Sequence, residues 1–229
     1  MFVIFSAPSC GNLPRDQHDT LKRIKNDKRI RVGLVENPPW VIRTSGEPAG
    51  AEVELVRRFA EEIGAAPEWF WGGEQKHLEA LENFELDLVV GGFNDSTPWT
   101  KRVGFTSQYF KNRIMVGVPA SMPAPKDIKG MQIAVKSGDL IAAYLEKKDA
   151  IVIRTDDFSK IQNTPVAASE WELEKLGLTL TDIELHSENR VMATAPGENA
   201  LIKKLDEFLS AQRAGIKNLL QQQQGEARK

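Results

Sequence analysis

Residues 91–97, Gly-Gly-Phe-Asn-Asp-Ser-Thr, offer the densest set of hydrogen-bonding groups at the end of an apolar run. Leu86–Val90 reads as a strand that breaks at Gly91-Gly92 and continues through Asn94, Asp95, Ser96 and Thr97. Glycines followed by small polar residues present backbone N–H groups and hydroxyls at a strand's carboxyl end, where open α/β sheets bind ligands. Trp99 follows two residues later, and Trp40 closes a separate turn, Glu36-Asn37-Pro38-Pro39-Trp40. A large apolar ring in a polar turn needs something to cover it, and an aromatic face beside carboxylates suits a cation. The chemistry on offer is reversible binding of a small polar molecule.

Catalytic signatures are missing. There is no Gly-x-Ser-x-Gly, no phosphate loop and no His-Glu-x-x-His, and His18, His77 and His186 are scattered. No cofactor or metal is expected. A net charge of -2 leaves no excess of Lys and Arg to neutralise phosphates, which argues against nucleic acid as partner. The 229 residues, 41% hydrophobic and 27% charged, have ample core for one large or two small domains. The single cysteine excludes an intrachain disulfide.

The elements that would position these residues alternate. A strand is expected at 29–35, a helix at 52–63, a strand at 68–71, a helix at 75–83 and the strand at 86–90. After Phe110 come strands at 113–118, 131–135, 150–153 and 165–168, with helices after Ser137 and from Glu170 to Leu176. A last strand at 190–195 leads into an amphipathic helix from 199, with a turn at 216–220 and a frayed polar tail from Gln221. Successive β-α-β units imply parallel sheets with helices on both faces.

Read in order, these segments resemble the extracellular solute-binding proteins of bacterial ABC importers, polar amino-acid type. Val32-Gly33 through Pro38-Pro39-Trp40 resembles the family's opening strand and turn. Gly50–Leu55 resembles its first helix start, Leu86–Gly92 the strand carrying the first lobe's binding loop, and Phe105–Tyr109 the segment before the hinge. Ile128-Lys129-Gly130 to Gly138 resembles the opening of the second lobe. The resemblance implies an α/β, two-lobed periplasmic-binding-protein type II fold, each lobe a mostly parallel sheet flanked by helices, joined by two hinge strands. Lobe one would be 28–110 plus 190–229, lobe two 111–189, with 1–27 a tether. The expected protein is a non-catalytic monomer that clamps an amino acid, amine or related polar solute and delivers it to an ABC permease. Two alternatives stay open: an enzyme on the same fold, such as a cyclic-acid dehydratase using Glu170 or Asp139 as acid or base, and a ligand-sensing module.

The resemblance also marks site positions. The family's carboxylate-gripping arginine lies six residues before the phenylalanine, which is Trp99 here. The bidentate fork is missing at that place, which favours a cationic or amine-bearing ligand. Glu36, Glu74, Asp95, Asp139, Glu170 and Ser169 supply acidic or hydroxyl groups, with Ser137 beside them. Together with Gly91, Gly92, Asn94, Trp40 and Trp99 they form the expected ligand site, while Arg113 and Lys136 could receive an anionic group. Ala7-Pro8-Ser9-Cys10-Gly11 follows a short apolar start and resembles a lipoprotein signal. That makes Cys10 the candidate lipid-bearing residue and places the protein in the periplasm or on the outer face of the cytoplasmic membrane.

Overall fold

The computed structural model describes residues 15–223. Cys10 and the last six residues lie outside that range. Two five-stranded sheets, each covered by helices, make two lobes.

In the first lobe β1 (Arg29–Leu34) lies between β2 (Ala66–Trp71) and β3 (Leu88–Val90), all three parallel. The register runs Val32↔Trp69 on one side and Val32↔Leu88 on the other, so β1 is hydrogen-bonded on both edges and Ile30, Val32 and Leu34 are fully buried. β10 (Ala193–Thr194) then adds antiparallel to β3, and β4 (Gly104–Phe105) antiparallel to β10. The sheet is therefore mixed, where repeated β-α-β units predicted a parallel one.

Helix α1 (Thr20–Asp27) precedes β1, α2 (Ala51–Glu62) joins β1 to β2, and α3 (Glu74–Glu82) joins β2 to β3. Val53, Val56, Phe59 and Ala60 of α2 recur at helical spacing and are all buried. Against them packs α6 (Asn199–Gln223), with Phe59 and Phe208 ring centres 5.5 Å apart. No turn interrupts α6 at 216–220, because Ile216, Leu219 and Leu220 are buried at helical spacing and keep the chain wound. Asp87, almost fully buried, receives Arg31 N–H at 2.9 Å, Arg31 Nη2 at 2.7 Å and the guanidinium of Arg23, which pins α1 to the edge of β1.

The second lobe orders its strands β7-β6-β8-β5-β9. β6 (Gln132–Lys136) is parallel to β7 (Ile151–Thr155) and to β8 (Val166–Ser169); β5 (Phe110–Val118) is antiparallel to β8 and to β9 (Thr179–Arg190). Helices α4 (Ile141–Glu146) and α5 (Glu170–Lys175) complete it.

The twelve-residue β9 is the element that sequence reading did not assign. Its period-2 alternation changes phase at two irregularities, where Ile114↔His186 is followed by Met115↔Glu184 and then Gly117↔Leu180. Extra residues bulge out of β9 at those points, so apolar positions do not keep one parity. The chain passes between the two sheets twice, from β4 to β5 and from β9 to β10, and the paired strands β5 and β9 carry residues of the base of the cleft between the lobes.

Candidate functional site

A cleft of about 450 Å³ lies between the lobes. Its first-lobe wall is the turn Asn37–Trp40, its second-lobe wall is built from the ends of β6 and β8 with α4 and α5, and its base is the β5/β9 pair.

The first-lobe wall is internally tied. Asn37 Nδ2 donates to Gly91 O at 2.8 Å, and Trp40 N–H donates to Asn37 O at 2.9 Å. Gly92 has φ 67°, and a Cβ there would come within 2.8 Å of the Trp40 ring, so only glycine lets the loop close on the indole. Behind the loop stands Glu52 of α2, fully buried. Its Oε2 accepts the N–H groups of Gly91 and Gly92, each at 2.8 Å, and its Oε1 accepts the Tyr109 hydroxyl. Burial pushes the Glu52 carboxyl above its ordinary value against the opposing pull of Tyr109, the two amides and Arg190. Burial and the Glu52 carboxylate together push the Tyr109 hydroxyl well above its own. The donors at the carboxyl end of β3 are thus occupied by the protein's own carboxylate and do not face the cleft.

The base carries a run on one face of β9: His186, Glu188 and Arg190, two residues apart, all on the cleft. Arg190 is 8% exposed and its guanidinium carbon lies 5.0 Å from the Trp40 ring centre. Its Nη1 donates to Gly92 O and its Nη2 to Glu188 Oε2, while Nε has no partner. His186 stacks on Tyr144 of α4 at 4.7 Å and 12°, with Nε2 4.0 Å from Glu188 Oε1. From β5, Asn112 accepts the Trp171 indole N–H at 3.2 Å.

On the second-lobe wall Lys136 Nζ lies 3.0 Å from Glu172 Oε1. Asp139 lines the cleft and accepts the Ile141 N–H at 3.0 Å, which ties its carboxylate to the start of α4. Leu140 beside it is 80% exposed. The cleft therefore holds two cations, Lys136 and Arg190, against three carboxylates, Asp139, Glu172 and Glu188, among the rings of Trp40, Tyr144, Trp171 and His186.

Of the expected site residues, the structure brings Trp40, Lys136, Asp139 and Ser169 to the cleft. The others lie elsewhere, each for a local reason. Gly91 and Gly92 sit behind the wall with their amides on Glu52. Asn94 Oδ1 caps Ser96 N–H, and Asp95 Oδ2 takes Asn189 Nδ2 at 2.8 Å, so this part of the loop is sewn to β9. Glu36 is exposed and paired with Arg43, whose guanidinium covers Trp71. Glu74 is an exposed first residue of α3.

Trp99 stands in a short 3₁₀ turn, Pro98–Lys101, packed on the cluster containing Leu78 and Val103, with Arg102 4.5 Å above its ring. Its partner is therefore the protein's own cation. Arg113 points away from the cleft to Glu184 at 2.9 Å and to Glu170 at 3.7 Å. Glu170 itself meets Lys217 of α6 at 3.0 Å. Ser137 is exposed, its N–H held by Thr155 O.

The residues that sequence reasoning did not place are Asn37, Asn112, Tyr144, Trp171, Glu172, His186, Glu188 and Arg190. The alternation His186-x-Glu188-x-Arg190 was a readable signal once β9 is a strand. Nothing local marked Trp171, whose burial depends on α6 and β5.

The sequence profile of bacterial extracellular solute-binding proteins, family 3, matches residues 30–222. Membrane-bound lytic murein transglycosylase F of Pseudomonas putida (strain W619) is 25% identical over 85% of this chain. The chain spans 45% of that relative, under half its length. The ABC transporter arginine-binding protein 1 of Escherichia coli (strain K12) is 21% identical, over 82% of this chain and 86% of its own. Among solved structures, a polar amino acid ABC uptake transporter substrate-binding protein from Streptococcus thermophilus superposes with a TM-score of 0.74 at 16% identity, covering 94% of this chain and 95% of that one.

Proposed function

Because the chain belongs to the bacterial extracellular solute-binding proteins, family 3, we propose that it is the extracytoplasmic binding component of an ABC importer, closing its two lobes on a small amine-bearing polar solute. The observation that carries this reading is the composition of the cleft: three carboxylates against two cations, among four aromatic rings, in a space of about 450 Å³. A cation gains from both the carboxylates and the ring faces. The volume suits a single small solute. In this reading the protein acts as a monomer, hands its ligand to a membrane permease and performs no chemistry on it. Among the described residues no helix is long and apolar enough to cross a membrane. Attachment through Cys10 would supply an anchor.

Thermal unfolding against millimolar amines, amino acids and acidic solutes tests this. A ligand at a hundred times its dissociation constant adds about 2.7 kcal/mol, an easily measured shift. Shifts confined to amine-bearing compounds are expected. Shifts only with acidic solutes, or turnover of a cyclic acid, would overturn the reading.

A second reading, a ligand-sensing module of a longer protein, is favoured by one observation: the transglycosylase relative extends well beyond the matched region. Deleting the gene separates the two. Loss of uptake of the binding amine supports import, and unchanged uptake supports sensing.

A further inference from the structure

Helix α5 carries cleft residues on one side and ion pairs on the other. Trp171 and Glu172 line the cleft. Glu170 and Glu174, four residues apart, share a helix face and both meet Lys217 of α6, whose Nζ lies 3.0 Å from Glu170 Oε1 and 2.7 Å from Glu174 Oε1. Two further bonds flank these pairs: Gln221 Nε2 donates to Trp171 O at 3.3 Å, and Lys175 Nζ donates to Gln221 O. We propose that these contacts form a latch between the lobes, in which Lys217 of the first lobe positions the α5 wall of the second and so sets the width of the cleft. The inference rests on the clamp motion in the reading above, and not on which solute is bound.

Three observations carry it. First, α6 is fixed to the first lobe along its length. Phe208 packs on Phe59, Ile216 and Leu220 are fully buried, and Gln223 Oε1 accepts the Gly50 N–H at 3.1 Å where α2 begins. Lys217 therefore moves with the first lobe. Second, α5 moves with the second lobe. It follows β8 without a break, and its Glu170 also lies 3.7 Å from Arg113 Nη1 of β5. A rotation of one lobe against the other carries α5 past α6, so the latch has to stretch or release when the cleft changes width. Third, the pairs are only partly enclosed, with the Glu170 side chain 20% and the Lys217 side chain 35% exposed. Ion pairs of that kind bias a position without locking it, and a bias of that size is enough to shift a two-state motion.

The test measures the distance between the lobes directly, with spin labels in the full chain and no added solute. Lys76→Cys on α3 and Lys148→Cys beyond α4, both exposed positions, carry the labels in a Cys10→Ser background. Lys217→Met keeps the side-chain stem and removes the charge. It is expected to raise the population of displaced lobe spacings about threefold. Lys217→Arg, which restores the charge, is expected to return the wild-type distribution. Salt should act as the Met variant does, because raising it from 0.1 M to 1 M shortens the screening length from about 10 Å to about 3 Å.

Two controls separate a latch from a merely structural contact. Circular dichroism is expected to show the same helix content in the Met variant, so that α6 is still wound. Lys203→Met breaks a pair that stays within α6, Lys203 with Glu207 at 3.9 Å, and is expected to leave the lobe spacing unchanged. A distance distribution that Lys217→Met leaves as in the wild type overturns the latch, as does an equal change in Lys203→Met or a loss of helix that accounts for the change. None of these outcomes touches the amine-binding reading, which stands or falls on the thermal shifts.

Discussion

The two walls of the cleft are built from opposite materials. The first-lobe wall, the turn Asn37–Trp40, is backed by a loop bound inward: Gly91 and Gly92 give their amides to Glu52, Asn37 gives its side chain to Gly91 O, and Asn94 and Asp95 are held by their own loop and by β9. The second-lobe wall is side chain, turned outward: Lys136, Asp139, Tyr144 and Glu172 meet the open space. A loop whose donors are internally satisfied has nothing to exchange with a ligand, whereas paired surface charges can trade partners at small cost. The difference teaches that the strand-end rule for α/β sheets locates the cleft, while the particular residues decide which lobe recognises the ligand.

The largest effect is expected from breaking the inward wall. Glu52→Ala strands two backbone amides and the Tyr109 hydroxyl in the core, and each buried unsatisfied group costs about 1–3 kcal/mol. A loss of about 3 kcal/mol or more in chemical denaturation is expected; a loss below 1 kcal/mol would mean that the loop does not depend on this carboxylate.

Glu52→Gln separates shape from charge. The folded-state value of the Glu52 carboxyl is raised above 4.5, so the folded protein holds that proton more tightly than the unfolded chain. Its stabilising contribution is full below the unfolded value and is lost as pH rises through the folded one. Wild-type stability relative to Glu52→Gln should therefore fall from about pH 4.5 upward. Denaturation of both proteins across that range checks the sign, and a difference that grows with pH would contradict it.

A smaller effect is expected where the two lobes meet. Trp171 is 3% exposed, gives its indole N–H to Asn112 Oδ1, and belongs to the same buried cluster as Leu34 and Phe59 of the first lobe. The C-terminal half of α6 reaches the same helix, with Lys217 Nζ on Glu170 and Glu174 and Gln221 Nε2 on Trp171 O. Trp171→Phe removes the donor and leaves Asn112 Oδ1 buried, which is expected to cost about 1–3 kcal/mol of stability and to weaken ligand binding as well. Trp171→Phe with unchanged affinity would show that the ring closes the cleft without helping to shape it.

How far the sequence carried follows the same division. Elements whose burial is set by their own periodicity, such as α2 with Val53, Val56, Phe59 and Ala60, are legible because one face meets one sheet. β9 was not, because its bulges break the alternation that would have announced it. With it went His186, Glu188 and Arg190, three of the five residues that line the base of the cleft. Trp40, Asp139 and Ser169 could be placed because they stand at strand ends and helix starts that the sequence marks. Position 99 shows the limit. A tryptophan in a polar turn does need a partner, but Arg102, three residues on, supplies it, and spacing alone does not distinguish a ligand cation from a neighbouring one.

Position 99 also gives the smallest predicted effect on ligand binding and the sharpest test of the comparison between the walls. Trp99 packs on the cluster that contains Leu78 and Val103 and carries Arg102, itself paired with Glu82, over its ring. Trp99→Ala removes that packing and should cost about 1–3 kcal/mol of stability through lost apolar burial. Ligand affinity should stay within a factor of about two, because no atom of Trp99 lines the cleft and distant sites act independently. The contrasting variant is Tyr144→Ala, which strips the ring stacked on His186 and should weaken binding with little loss of fold. If Trp99→Ala instead abolished binding while Tyr144→Ala did not, recognition would belong to the first-lobe loop, and the internal bonds from Glu52 to Gly91 and Gly92 would have to open when the ligand arrives.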